Sequence, residues 1–347
     1  MKTENPAGRP WLKILVTLIV IVVILYFFDI RLIIAQIRTA NFAYLGAALV
    51  VLVVSYLVMA IRLRHMLGDQ PKLSYTFNAT NVANMMNLVT FIPVTWIKIY
   101  LMGGDKKVGI PRATSSITVG IAIDWMVKII SLLGVILLLN KATSVGEFLV
   151  VAGILILIIL GLLLFFEAKS ESIITKVTPL LARLPIISEE QAQAMAANFM
   201  EGLEYVGSPL QIIITLLWTL LAWVGGFLFY YLGMMAMGVR LPSDVMMAGI
   251  LAAAIVVNPF SPYLPGLYYS LLVGALYVVT EASPESLIAL AIVLHTSLLI
   301  LWFVLGAIGL RVLDLKFSEF RHQISDAIQQ MRDATSEKDP QNGTDLS

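Results

Sequence analysis

Apolar residues along this chain fall in long unbroken blocks rather than in the periodic stripes of a soluble domain. Six of these blocks, Leu12–Phe28, Phe42–Ile61, Ile117–Leu139, Phe148–Phe166, Leu210–Met237 and Ser286–Leu310, predict full spans. At about 1.5 Å per residue each can cross a hydrocarbon core of about 30 Å. Two further blocks, Asn78–Met102 and Val245–Thr280, are apolar but interrupted. The first breaks at Phe91-Ile92-Pro93, and the second from Asn258 to Gly266, where Pro259, Pro262 and Pro265 fall. Proline removes a backbone donor and clashes with the preceding turn, so neither break sits inside a continuous helix. Broken backbone at membrane depth survives only where protein or a wet cavity covers it, so both breaks point inward.

Composition agrees with this pattern. The 347 residues are 59% hydrophobic and 13% charged, against roughly 45–50% and 25% in soluble chains. A formal net charge of +1, with the basic residues scattered beside apolar blocks, gives no surface for nucleic acid. Without cysteine there is no disulfide, thiolate metal site or cysteine nucleophile, and the three histidines, His65, His295 and His322, lie far apart in sequence. Tyr26-Phe27-Phe28-Asp29 offers no small-residue cleavage site, so the first apolar run is expected to be retained as a helix.

The distribution of Lys and Arg decides between topologies. If both broken blocks are re-entrant hairpins and the N-terminus is cytoplasmic, 17 of the 23 basic residues, Arg62 and Arg64 among them, fall inside and four outside, with Lys98 and Lys128 at membrane depth. If each block crosses once, the split falls to 13 and eight. The hairpin topology therefore wins. It predicts an all-α polytopic membrane protein of six full spans plus two re-entrant helical hairpins in an inverted repeat. Both termini are then cytoplasmic, and the plasma membrane is the expected location. The membrane domain covers residues 1–310, with halves at about 10–139 and 148–310 and a cytoplasmic linker at 167–209. Leu313, Phe317, Phe320, Ile324, Ile328 and Met331 recur at helical spacing, predicting an amphipathic cytoplasmic helix over 311–333. The polar tail 334–347 is expected to be disordered. Inverted repeats with matched broken segments are a plan of secondary transporters, and they put a substrate site between the hairpins.

Three charges lie deep in apolar blocks: Lys98, Asp124 and Lys128. Intramembrane ionisable residues are rare and point to function by default. Asp124 and Lys128 stand four apart on one helix, so mutual neutralisation weighs ahead of a transport or proton-relay role. Lys98, between Trp96 and Tyr100, either snorkels to the interface or serves as a cation for a lipid phosphate. On the leading limb of the first hairpin, Thr80, Asn84 and Asn87 share a face that lipid cannot cover, as interhelical glue or as a substrate contact. In the second hairpin Asn258, Ser261, Tyr263 and Tyr268 surround the break, and a half-helix N-terminus there favours an anion. His295, near Thr296 and Ser297, reads first as hydrogen-bonded packing. No metal-ligand spacing, nucleophile elbow, phosphate loop or intramembrane carboxylate pair appears, so neither a cofactor nor a catalytic residue is expected.

The segment Asn41–Leu67, the hairpin ending FIPVTWIKIYLM and the following VGIPRATSSITVGIAIDWMVKIISLLGVILLL together resemble the lysylphosphatidylglycerol synthase transmembrane family. SPYLPGLYYSLLVGALYVV resembles that family's second proline-glycine break, at Pro265-Gly266. The resemblance implies eight helical elements, two of them re-entrant, and movement of a lipid with a phosphate-containing headgroup between leaflets. Pro93 keeps the family's proline, whereas Lys98 stands at the place of its acid. In the following span Asp124 keeps the first charge of the pattern, with Trp125 and Lys128 after it, and Tyr269 and Leu272 take the later glycine and glutamate places. The expected substrate contacts are thus Asn84, Asn87, Pro93, Lys98, Asp124, Lys128, Asn258, Pro265, Gly266 and Tyr268. The expected partner is a membrane phospholipid or lipid-linked substrate. A membrane enzyme or enzyme partner acting on such a lipid, and a noncatalytic scaffold, are the alternative functions.

Overall fold

The computed structural model describes residues 29–68, 70–90, 92–104, 108–141, 209–239, 265–317 and 320. Among them there are eight helices and no strand. They are α1 (Ile30–Arg38), α2 (Phe42–Met66), α3 (Leu73–Thr90), α4 (Val94–Gly103), α5 (Ile110–Lys141), α6 (Pro209–Ala236), α7 (Pro265–Val279) and α8 (Pro284–Val312). The expected spans Leu12–Phe28 and Phe148–Phe166, the linker, most of the second break including Asn258, and the tail lie outside the described residues.

Phe42–Met66, Leu210–Ala236 and Pro284–Val312 are long and apolar enough to cross a membrane. Their outward stripes, such as Val50, Val54 and Leu57 on α2 and Ile300, Val304 and Ile308 on α8, are exposed. Those residues recur every three or four positions, a face that only an apolar solvent satisfies.

Local sequence sets the helix ends. Asn41 caps α2 through its Oδ1, which accepts from the amides of Ala43 at 3.0 Å and Tyr44 at 3.4 Å. Gly68, with φ of +71°, turns the chain out of α2 in a conformation that L side chains rarely adopt. Ser283 caps α8 by accepting from the amide of Ser286, and proline opens that helix. Helix α1 lies where the sequence predicts a loop; Asp29 caps it, and Ile33 is buried. Helix α2 also runs five residues beyond its expected end at Ile61, and Arg62, expected among the loop charges, is buried in the bundle.

The first broken block folds as the sequence predicts at its centre. Helices α3 and α4 pack together on either side of the break before Val94, where Asn87 Nδ2 donates to the Ile92 carbonyl at 2.6 Å. The Tyr75 hydroxyl donates to the Leu101 carbonyl at 2.6 Å, tying the far ends of the two limbs.

Two apolar cores hold the helices. One joins α1, α2, α6, α7 and α8; the other joins the end of α2 with α3, α4, the start of α5 and Phe320. Small residues let backbones approach. A Cβ at Gly225 on α6 would stand 2.7 Å from the Ser55 Cβ of α2, and one at Gly306 on α8 would overlap the Met85 Cβ of α3. After α8 the chain turns at Asp314, φ +52°, and returns Phe320 into the second core, its ring 6.0 Å from that of Tyr100. A turn therefore separates α8 from the following segment, where an amphipathic helix is expected to run from 311.

Candidate functional site

Helices α2 and α6 run antiparallel in the most extensive contact of the described structure. At one end the Asn41 amide donates to the Ala236 carbonyl at 2.7 Å. Midway the Ser55 hydroxyl donates to the Ala222 carbonyl at 2.7 Å, beside Gly225. At the other end Arg62 Nη1 donates to Thr219 Oγ1 at 3.0 Å. Beside this pair, and under α5, lies a cavity of about 110 Å³. A water needs roughly 10–15 Å³ measured in this way, so the space takes several waters or one small polar group.

The cavity has a charged end and an aromatic end. At the charged end Arg62, from α2, grips Asp124, from α5, in a two-pronged pair: Nη1 to Oδ1 at 2.6 Å and Nη2 to Oδ2 at 3.0 Å. The planar guanidinium fork suits this geometry, and charge-assisted bonds of this kind are among the strong ones. Both oxygens of Asp124 are thereby engaged, which leaves it poorly placed to act as a general base. Lys128, one turn further along α5, lines the cavity with its ammonium 5.1 Å from the ring centre of Trp125 and 5.9 Å from that of Trp223. Aromatic faces hold a cation without neutralising it, so its N–H donors stay available to an anion. Lys98, on the short helix α4, lies within electrostatic reach of Arg62 and Asp124.

At the other end Tyr56, Phe227, Phe229 and Tyr230 form the walls. Trp302 of α8 donates its indole N–H to the Tyr56 hydroxyl at 2.5 Å, fixing that wall from outside the cavity. Among the described residues no group of three His, Cys, Asp or Glu could hold a metal ion.

Of the residues singled out in the sequence, Asp124 and Lys128 share this cavity, and Lys98 lies within electrostatic reach of Asp124 without lining the cavity. Mutual neutralisation is not how Asp124 and Lys128 are arranged: the salt bridge of Asp124 runs to Arg62. Asn87 is buried and spends its amide on the hairpin turn, Asn84 is half-buried on α3, and Pro93 stands exposed just before α4. Tyr268 does not line the cavity but is buried beside its wall residue Tyr230, stacked on His295 at 4.9 Å, while the Tyr269 hydroxyl meets His295 Nδ1 at 2.9 Å. Packing is thus the role the structure gives His295. Pro265 and Gly266 form the first turn of α7, a position suited to proline.

Arg62 and the aromatic walls were not singled out in the sequence. A signal was present: Ser55, Met59 and Arg62 recur at intervals of four and three, which places them on one face of a helix. An unpaired acid at Asp124 calls for such a partner.

Comparison with curated proteins gives no match, and comparison with solved structures gives none. The family described as Lysylphosphatidylglycerol synthase TM region matches residues 11–309. With nearly the whole apolar part of the sequence inside that match, the chain belongs to the lysylphosphatidylglycerol synthase transmembrane family.

Proposed function

We propose that this protein moves a lipid with a phosphate-containing headgroup between the leaflets of the plasma membrane, the headgroup passing through the cavity between α2, α5 and α6. The observation that carries this reading is Lys128. It is a cation lining a cavity inside an apolar bundle, held by indole rings rather than by a carboxylate. Holding an ammonium there costs roughly 2.5–3.5 kcal/mol on insertion scales, a cost that binding a phosphate offsets. Family membership supports a lipid-related role, because the family's description names an enzyme of phospholipid synthesis.

The length of α4 supports the re-entrant reading of the first hairpin. Its ten residues reach only about 15 Å, half of the core thickness, so the α3–α4 hairpin dips in and returns to its own side. Together with the unequal loop charges this favours cytoplasmic termini and an inverted repeat. The named charges of the site are an arginine–carboxylate pair and an ammonium, a set suited to holding a charged headgroup, which favours a transporter over an enzyme.

Leaflet exchange of fluorescent phospholipids in liposomes tests the proposal. Wild-type protein is expected to exceed empty liposomes, with Lys128→Gln falling to a small fraction of that rate. Exchange equal to that of empty liposomes across several headgroups and under an imposed ion gradient would reject it.

A further inference from the structure

Resting on the transport reading, we infer that the cavity selects a net-anionic phosphate headgroup and rejects the cationic aminoacylated phosphatidylglycerol after which the family is described. The local balance of charge sets this preference. Arg62 and Asp124 cancel one another in their two-pronged pair. Lys128 lines the cavity against the indole rings of Trp125 and Trp223, so its ammonium adds a positive charge that the pair does not cancel. The other described carboxylates, Asp29, Glu281, Glu285 and Asp314, sit at helix ends rather than in the cavity.

A phosphodiester headgroup such as phosphatidylglycerol carries one negative charge and meets this surplus with its oxygens. Esterifying lysine onto it adds two ammonium groups and makes the headgroup net positive. Brought into a small space that already holds Lys128, those groups face like charge, and the one carboxylate among the described lining residues, Asp124, is already paired with Arg62. Like charges juxtaposed at a desolvated contact cost several kcal/mol and are a device for excluding wrong partners. Trp125 and Trp223 already hold the Lys128 ammonium, so a second cation at the same faces would meet its charge directly.

The test uses the full chain in liposomes with probes sharing one acyl label and differing only in headgroup: phosphatidylglycerol, phosphatidylcholine and lysylphosphatidylglycerol. The expected result is exchange of the phosphatidylglycerol probe faster than the lysyl probe by about tenfold or more, with the gap narrowing in Lys128→Gln and reversing in Lys128→Glu. Thermal stability in detergent gives a readout independent of transport: added phosphatidylglycerol raises Tm and the lysyl lipid does not. Equal exchange of all three probes above background would overturn the selectivity while leaving transport standing. A preference for the lysyl probe would overturn the charge argument itself. No exchange of any probe, with stabilisation by inorganic phosphate as strong as by phosphatidylglycerol, would keep the anion site, assign it to a soluble phosphate, and overturn both the lipid selectivity and the transport reading.

Discussion

Arg62 and Asp124, 62 positions apart in sequence, meet through two parallel bonds of 2.6 and 3.0 Å inside an otherwise apolar bundle. That pair joins α2 to α5, and through Thr219 to α6. Removing one member of such a pair strands a buried charge, whereas replacing both by apolar side chains restores a compatible interior. Asp124→Ala is therefore expected to destabilise the protein by about 3–5 kcal/mol. The double variant Arg62→Met with Asp124→Leu should recover most of that loss. Thermal unfolding in detergent measures both. Asp124 is consequently a poor probe of transport, and Lys128 is a better one.

Close helix approach predicts a graded response at glycines. Gly225 and Gly306 face Ser55 and Met85 with no room for a Cβ, while Gly46 and Gly274 have nothing within 4 Å. Gly225→Val and Gly306→Val should each lower stability by roughly 1–3 kcal/mol, the usual cost of overpacking. Gly46→Ala and Gly274→Ala should leave Tm unchanged or slightly raised. Equal effects at all four positions would contradict the packing described.

The segment after α8 is anchored by Phe320, 1% exposed in the core that also holds Ile97 and Met102. Phe320→Ala should cost about 3–5 kcal/mol, as for other buried aromatics truncated to alanine. Thermal unfolding in detergent measures the loss, and Phe320→Leu, which keeps most of the buried volume, should cost less than Phe320→Ala.

At the hairpin turn, Asn87→Ala removes the bond to Ile92. The expected loss is about 1–3 kcal/mol, since the carbonyl is left without that partner. Asn87→Asp should not restore it, because a carboxylate cannot donate. Thermal unfolding in detergent compares the three forms directly.

Helices were legible in the sequence wherever lipid dictates composition. The bounds of α6 and α8 follow from uninterrupted apolar runs, and the α3–α4 break follows from Pro93. Polar and charged positions were less legible, because their partners come from distant helices. Basic residues at the end of an apolar run read as a cytoplasmic flank, so Arg62 was assigned to the surface; only the arrival of Asp124 from α5 makes its burial possible. Asp124 and Lys128 looked like a pair because four residues along a helix bring side chains near, but an arginine fork outcompetes a lysine for a carboxylate. Asn87 looked like a substrate contact because its amide faced inward, where a turn needed a donor. The short helix α1 was missed because its nine residues carry Arg31 and Arg38 among apolar ones and read as a loop between spans.

The central claim, that a headgroup passes through the cavity between α2, α5 and α6, is tested most directly at Gly226. This residue lines the cavity and has nothing within 4 Å of where a side chain would begin. In the cysteine-free background, Gly226→Cys should fold and retain lipid exchange in liposomes. Complete modification by a bulky thiol reagent should then abolish exchange, and removal of the adduct by reductant should restore it. Exchange that continues at the unmodified rate after complete modification would contradict the account.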